Sequence, residues 1–145
     1  MSSLVWPVLR PSHDRRIISG SLVGEFVTRE TGFSCRSPHV SIGFERRGRI
    51  VTGLSFYNWS GHDVEIAAAG REFPRSLLRF VFDYVVKQLG CRRATFRTRI
   101  DNEAAKLALS RLRARVEGRQ RLFYGDCDAL IFGLLSEDFP YGKQQ

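Results

Sequence analysis

The stretch that most restricts the fold of this chain is an apolar helical pattern between two strand-like patterns. Residues 74–89 place leucine, valine and aromatic side chains at helical spacing along almost their whole length. Pro74 suits a first helical turn, and Gly90 suits the end of a helix. A helix this apolar has to pack against a sheet. Alternating side chains at 63–68 and 92–99 predict the flanking strands, and the usual right-handed crossover would make those strands parallel.

The remaining patterns predict further elements around this crossover. We expect an amphipathic helix at 15–30, hairpin strands at 40–45 and 50–57, a helix at 101–112, and a closing hairpin at 115–124 and 129–135. This order predicts one α/β domain over residues 1–145. Its mixed, α+β-like sheet would start antiparallel, contain the central βαβ crossover and carry helices on both faces. The ends, about 1–14 and 137–145, are expected to be loose.

Three of these elements have a predicted buried face. Each face follows from the spacing of apolar residues along a helix or a strand. The expected core positions are Ile17, Ile18, Leu22, Phe26 and Val27 in the first helix, Leu78, Val81 and Phe82 in the helix at 74–89, and Ala94 and Phe96 in the strand at 92–99.

The composition excludes several classes of protein. With 145 residues, of which 43% are apolar and 26% charged, the chain can bury a globular core. No apolar run reaches the roughly 18 residues of a membrane-spanning helix. The first residues lack the charged and then apolar pattern of a signal peptide. We therefore expect a cytoplasmic protein that does not enter a membrane.

Cysteine and histidine spacing argues against a metal site or a disulfide framework. The three cysteines, Cys35, Cys91 and Cys127, form no CxxC pair. The three histidines are scattered and show no HxxxH or HExxH spacing. The sequence therefore predicts no bound metal.

Positive charge is concentrated in the middle of the chain. The net charge is +8, and 20 of the 23 basic residues are arginine. Residues 71–121 hold 12 Arg and 2 Lys against 5 acidic residues, a net charge of +9. Such a block attracts a polyanion, which would be a phosphorylated cofactor, a nucleic acid or an acidic protein. The alternative is a solvated arginine-rich surface without a partner.

Three stretches resemble the Gcn5-related N-acetyltransferase (GNAT) superfamily. They are "SIGFERRGRIVTGLSF" followed by "HDVEIAAAG", then "LLRFVFDYVVKQLGCRRATFRTRIDNEAAKLAL", and finally "EGRQRLFYGDCDALIFGLL". Together they cover about residues 40–136. The last is similar to the closing hairpin of the ribosomal-protein acetyltransferase branch, and the whole pattern resembles small GNAT-like proteins encoded by bacteriophages. The resemblance implies a single acyl-CoA N-acyltransferase domain.

The resemblance also implies where acetyl-CoA would bind, in a V-shaped opening between the strands at 63–68 and 93–99. The implied cofactor-binding residues are Ile66, Ala67, Ala68, Gly70, Arg71, Arg75 and Asn102.

The phosphate-binding loop departs from the family pattern. Ala69 stands where the family has Gln or Arg, and Glu72 and Pro74 stand where it has small residues. Pro74 removes a backbone donor, and Glu72 adds a negative charge. Binding of the pyrophosphate would therefore depend on arginine side chains such as Arg71 and Arg75.

The family chemistry is the attack of an amine on the acetyl thioester. The resemblance makes Glu65 the candidate base and Asn102 a candidate site residue. The alternative interpretations are a solvent-facing strand residue for Glu65 and a plain helix cap for Asn102. Leu109 stands where many members carry a Tyr proton donor, which leaves Tyr124 and Ser110 as candidate donors, each with a structural role as the alternative.

Two functions fit these observations. One is an acetyl-CoA-dependent N-acetyltransferase that acts on an amine, with a protein lysine or N-terminus as a candidate acceptor. The other is a catalytically silent GNAT-fold binding module that contacts a host protein or nucleic acid through its basic central block. The sequence leaves open whether the protein forms an oligomer.

Overall fold

The computed structural model describes residues 5–35 and 39–140. Parts of the predicted loose ends, 1–14 and 137–145, lie outside these ranges. The described residues form one seven-stranded sheet and three α-helices. The strands are β1 (Ile17–Ser19), β2 (Val40–Arg46), β3 (Arg49–Tyr57), β4 (Glu65–Gly70), β5 (Arg93–Arg99), β6 (Arg115–Gln120) and β7 (Ala129–Leu135). The helices are α1 (Ser21–Thr31), α2 (Arg75–Asp83) and α3 (Glu103–Arg111).

The sheet has the order β1-β2-β3-β4-β5-β7-β6. β4 and β5 are parallel and are joined through α2, whereas the other neighbouring strands in the described ranges pair antiparallel. The predicted fold, a mixed α/β sheet with a central crossover, is confirmed. α1 covers one face, and α2 and α3 pack on the other.

The beginning of the chain differs from the predicted helix at 15–30. Residues Ile17–Ser19 pair with β2 as an edge strand, and helix α1 begins only at Ser21. Gly20 separates the two elements with φ +119°, a conformation that ends the strand and that glycine adopts readily. Starting the helix here turns Val23 into the core and leaves Leu22 69% exposed, so the prediction of a buried Leu22 was wrong.

α1 lies unusually close to the sheet because two glycines face it. A Cβ at Gly53 would lie 2.8 Å from Cγ2 of Val27, and a Cβ at Gly43 would lie 2.9 Å from Cγ1 of Val23. Both positions therefore require the absence of a side chain. This contact fixes α1 over β2, β3 and β4, next to the side chains described below.

α2 packs through the predicted apolar face. Leu78 and Val81 are buried as expected, whereas Phe82 is only partly buried and stacks on Phe139 with ring centroids 3.7 Å apart. The helix continues into a π-helical segment, Tyr84–Gln88, and Gly90 follows with φ +71°. Pro74 immediately precedes the first residue of α2 instead of lying within its first turn.

The side chains of β5 alternate between the two faces as predicted. Ala94 and Phe96 are buried on the face covered by α2. Arg93, Arg97 and Arg99 lie on the opposite face. In the described ranges, no helix combines the length and the apolar character that crossing a membrane requires.

Candidate functional site

β4 and β5 diverge at their C-terminal ends. The last pair of their ladder is Ala67 and Arg97. β4 nevertheless continues along β3 to Gly70, and β5 continues along β7 to Arg99. The two central strands therefore enclose a wedge that is closed at Ala67 and Arg97 and open at Gly70 and Arg99. The predicted residues Ile66 and Ala67 lie within the ladder, and Ala68 is the first residue of β4 beyond it.

A cleft of about 490 Å³ lies at the open end of the wedge, between α1, the end of β4 and the start of α3. Gly70, Arg71 and Asn102 line it. The side-chain Nδ2 of Asn102 donates to the carbonyl oxygen of Gly70 at 3.0 Å, while its Oδ1 accepts from the Ala105 N–H at 3.0 Å. Asn102 is therefore a helix cap and also ties α3 to the end of β4 across the wedge.

The kink at the end of β4 requires glycine. Gly70 has φ +110°, and a Cβ there would lie 2.5 Å from the Cα of Thr52. The chain can therefore turn into the following loop only because residue 70 lacks a side chain.

Glu72, in the loop after β4, does not present an unpaired charge. Nε of Arg46, at the end of β2, donates to its Oε1 at 2.6 Å. The Thr52 hydroxyl donates to the Glu72 carbonyl oxygen and accepts from the Glu72 N–H at 3.1 Å. The repulsion predicted from Glu72 is thus offset by Arg46 at the end of β2.

The same loop has few backbone donors left for an anion. The N–H of Arg71 donates to the Val51 carbonyl oxygen at 3.1 Å, and that of Glu72 is held by Thr52. Pro74 has no N–H. An anion at this loop would therefore meet the first turn of α2 and the arginine side chains of residues 71 and 75.

Thr98 is the first residue of β5 beyond the ladder with β4, and it is fully buried. Its hydroxyl oxygen has no hydrogen-bond partner among the described residues. A buried hydroxyl without a partner costs about 1–3 kcal/mol. Thr98 thus carries, next to the point where β4 and β5 diverge, a buried polar atom that the described residues leave unsatisfied.

A second group of side chains lies at the closed end of the wedge, on the face that α1 covers. Arg97 is at its centre. Its Nε donates to Oε1 of Gln120 at 3.0 Å, and its Nη1 donates to the Tyr57 hydroxyl. Nη1 also donates to Oε1 of Glu65 at 3.4 Å, and Nδ2 of Asn58 donates to the other Glu65 oxygen at 2.5 Å. Glu65 is therefore a partly buried carboxylate with a hydrogen bond to each oxygen, instead of a freely solvated strand residue.

Aromatic rings enclose this group. The guanidinium carbon of Arg97 lies 4.7 Å from the ring centroid of Phe123 and 5.8 Å from that of Phe33. Tyr124 packs edge-on against Phe123 at 5.0 Å. Burial raises the pKa of Tyr124 to about 12 and that of Tyr57 further above its ordinary value. Both phenols therefore keep their protons at neutral pH.

The structure thus gathers Glu65 and Tyr124 around Arg97, and Gly70, Arg71 and Asn102 around the cleft. Arg75 opens α2 directly after the loop. Ser110, in contrast, is exposed on α3, and its neighbour Leu109 is buried in the core.

Many arginines of the basic block have partners inside the protein. Arg93 pairs with Glu117 and lies 3.6 Å from Asp63. Arg99 pairs with Asp101 at 3.0 Å and Asp126 at 2.8 Å. Arg97 likewise pairs with Glu65, so all three arginines on this face of β5 form ion pairs with acidic residues of neighbouring elements. These side chains hold strands and turns together, which leaves less of the block to attract a polyanion.

Sequence reasoning missed the residues that surround Glu65. The sequence analysis assigned none of Arg97, Tyr57, Phe33 and Phe123 to the site. The alternation of β5 indicated the face of Arg97, but which strands and turns meet that face depends on the sheet order. Within the described parts of the chain, no three or more His, Cys, Asp or Glu side chains form a possible metal site.

Solved structures of acetyltransferases are similar to this chain, although no family model and no curated protein matches its sequence. A protein assigned as an acetyltransferase gives a TM-score of 0.68 at 15% identity over 96% of both chains. The ribosomal-protein-S18-alanine N-acetyltransferase from Escherichia coli gives 0.58 at 16% identity, over 82% of this chain and 92% of that one. The Campylobacter jejuni N-acetyltransferase PseH, in complex with acetyl coenzyme A, gives 0.53 at 12% identity, over 69% and 70%.

At these identities the similarity defines the fold. The narrower resemblance to phage-encoded proteins, a cytoplasmic location and binding of nucleic acid stay predictions. The mixed sheet, the crossover through α2 and the divergence of β4 and β5 together show that this chain has the fold of the GNAT-type acetyltransferases.

Proposed function

We propose that this protein is an acetyl-CoA-dependent N-acetyltransferase that transfers an acetyl group to an amine. The observation that carries the proposal is the divergence of β4 and β5 beyond Ala67 and Arg97 in the middle of the sheet. Backbone groups in such a position need hydrogen-bond partners, which a ligand can supply. The pantetheine arm of acetyl-CoA, with its two amides, is a ligand of that shape and chemistry. A structural neighbour in complex with acetyl coenzyme A supports this choice.

The residues around the wedge fit this ligand. Ala68 and Gly70 would offer backbone groups along the arm, and the unsatisfied hydroxyl of Thr98 would offer a buried one. Arg71 and Arg75 would bind the phosphates through their side chains, because the loop has few free backbone donors. When bound, acetyl-CoA supplies a thioester that an amine can attack.

Glu65 and Tyr124 would move the two protons of the reaction. The amine attacks as the neutral base, so Glu65 accepts its proton, directly or through a water molecule. The new C–N bond forms as the C–S bond breaks, and the leaving thiolate takes a proton. Tyr124 is the candidate donor, because a tyrosine phenol is protonated at neutral pH. Backbone amides near residues 66–68 would hold the carbonyl oxygen.

Asn102 has a positioning role in this scheme. Both polar atoms of its side chain are already bonded, to Gly70 and Ala105. It would therefore keep the open end of the wedge at a fixed width without contacting the reacting atoms. Ser110 takes no part, since it lies on the exposed side of α3.

Titration calorimetry with acetyl-CoA, followed by a thiol-release assay with amines, tests the proposal. The sharpest variant is Thr98→Val, which removes the unsatisfied hydroxyl without changing the side-chain shape. We expect the unliganded protein to become more stable by about 1 kcal/mol and the Kd for acetyl-CoA to rise about fivefold. The matched control is Thr28→Val on α1, for which we expect an unchanged Kd.

The absence of acetyl-CoA binding at millimolar concentration would contradict the proposal. An unchanged Kd together with higher stability in Thr98→Val would mean that the hydroxyl does not meet the ligand, and would remove Thr98 from the proposed site.

A further inference from the structure

Arg97 is a partly buried cation whose hydrogen-bonding capacity is only partly used. Its side chain is 13% exposed. Nε and Nη1 donate to Gln120, Tyr57 and Glu65. A guanidinium has five N–H donors, and the two on Nη2 have no acceptor anywhere in residues 5–35 and 39–140. Nη2 is also not among the fully buried atoms without a partner, so it reaches the surface of the site.

The surroundings make these two donors strong. The rings of Phe33 and Phe123 lie on the guanidinium and keep water from most of it. Charged hydrogen bonds gain strength where water is excluded. Nη1 and Nε hold the guanidinium plane in one orientation, so the direction of the Nη2 donors is fixed before any ligand arrives. The two N–H groups of Nη2 point in different directions, and each can make a charge-assisted hydrogen bond to a carboxylate oxygen.

The position of Arg97 relates these donors to the proposed reaction. Arg97 pairs with Ala67 at the closed end of the wedge, and its Nη1 lies 3.4 Å from the proposed base Glu65. An amine that delivers its proton to Glu65 therefore has the guanidinium beside it. A second positive charge on the acceptor at this point would be repelled, whereas a negative one would be bound.

We propose that the acceptor is an amine that carries a carboxylate, such as an amino acid or a related aminocarboxylate, and that Arg97 selects it by binding that carboxylate through Nη2. The inference rests on the proposed acetyltransferase function and names the class of its acceptor. Repulsion by Arg97 would make polycationic amines poor acceptors.

The experiment compares kcat/KM for acetyl transfer to common amino acids with that for their carboxamides, with spermidine as a polycationic probe. The amine of a carboxamide is less basic, so more of it is neutral at a given pH. A preference for the free acid therefore cannot come from amine reactivity. We expect the best free acid to exceed its carboxamide at least tenfold, mostly through KM, and to exceed spermidine by more.

The matched variants are Arg97→Gln, Arg97→Lys and, as a control, Arg111→Gln at the exposed end of α3. Because Arg97 also holds Glu65, we expect Arg97→Gln to lower kcat/KM for both substrates, but at least tenfold more for the acid than for its carboxamide, so that the preference is lost. Arg97→Lys should retain part of the preference, because it keeps the charge and loses the fixed direction of the donors. Arg111→Gln should keep all of it.

Equal rates for acid and carboxamide in the wild type would overturn the inference and leave the proposed function standing. So would an equal loss for both in Arg97→Gln, which is the result of a purely structural arginine. Transfer to none of these amines by a protein that binds acetyl-CoA would also overturn the inference, whereas the absence of acetyl-CoA binding would overturn the proposed function itself.

Discussion

Glu65 carries most of the proposed chemistry, and its partners decide how it can act. Asn58 and Arg97 hold its two oxygens from opposite sides. A carboxylate has further lone pairs, so it can still accept a proton from an amine or from water. The hydrogen bonds fix its position, which is the main requirement for a general base that must lie close to the attacking nitrogen.

At the residue scale, we predict that Glu65→Gln lowers kcat by about 100-fold or more and leaves the Kd for acetyl-CoA within about twofold. The amide keeps the shape and the bond to Arg97 but cannot take a proton. Steady-state kinetics and titration calorimetry on the same preparation check this. Glu25→Gln, on the exposed side of α1, is the control and should behave as the wild type. A kcat that falls less than threefold would remove Glu65 from the mechanism.

At the scale of elements, the packing of α1 depends on two glycines of the sheet. Gly43 and Gly53 bring Val23 and Val27 into direct contact with the strands. Phe33 follows the C-terminal end of this helix and packs on Tyr57, with ring centroids 5.6 Å apart. The position of the helix therefore also sets one wall of the group around Arg97.

We predict that Gly53→Ala lowers the free energy of unfolding by about 1–3 kcal/mol, because the new methyl group would lie 2.8 Å from the stiff side chain of Val27. Gly118→Ala in β6 is the matched control. Its methyl group meets no other atom within 4 Å, so we expect a change within about 0.5 kcal/mol. Urea unfolding measures both. Equal effects in the two variants would contradict the close packing of α1.

At the scale of the molecule, arginine–carboxylate pairs join elements that are distant in sequence. Arg99 links the turn between β6 and β7, through Asp126, to the segment before α3, through Asp101. Hydrogen bonds from Arg99 lower the pKa of both carboxyls, and one from Arg93 lowers that of Glu117. The pKa of Asp63 shifts in the opposite direction, because burial raises it.

These shifts predict acid sensitivity. A carboxyl whose pKa is lower in the folded state stabilises the protein above its unfolded pKa of about 4, and this contribution disappears as pH falls through the folded pKa. We therefore expect Tm to be nearly constant from pH 7 to 5 and to fall below pH 4. Arg99→Gln should lower Tm at pH 7 and flatten the fall, since Asp101 and Asp126 then titrate normally. Thermal unfolding from pH 7 to 2.5 measures this, and parallel curves for the two proteins would contradict it.

The sequence by itself determined the elements whose pattern is local. The apolar stripe of residues 74–89, the alternation of Ala94 and Phe96, and the turn between β2 and β3 all depend on neighbours in the chain. The central crossover and the α/β class follow from them. The N-terminal helix was predicted too long, because pairing of Ile17–Ser19 with β2 is a long-range contact that helical periodicity does not reveal.

Only the tertiary structure decided how the site is built. Glu65 meets Arg97 because two strands 32 positions apart are neighbours in the sheet, and Glu72 is neutralised by an arginine 26 positions earlier. Only the structure shows that the Thr98 hydroxyl is buried without a partner among the described residues, next to the point where β4 and β5 diverge. Hydrogen bonds and burial depend on distance in space, which residue spacing specifies within one helix or strand but not between elements that long loops separate.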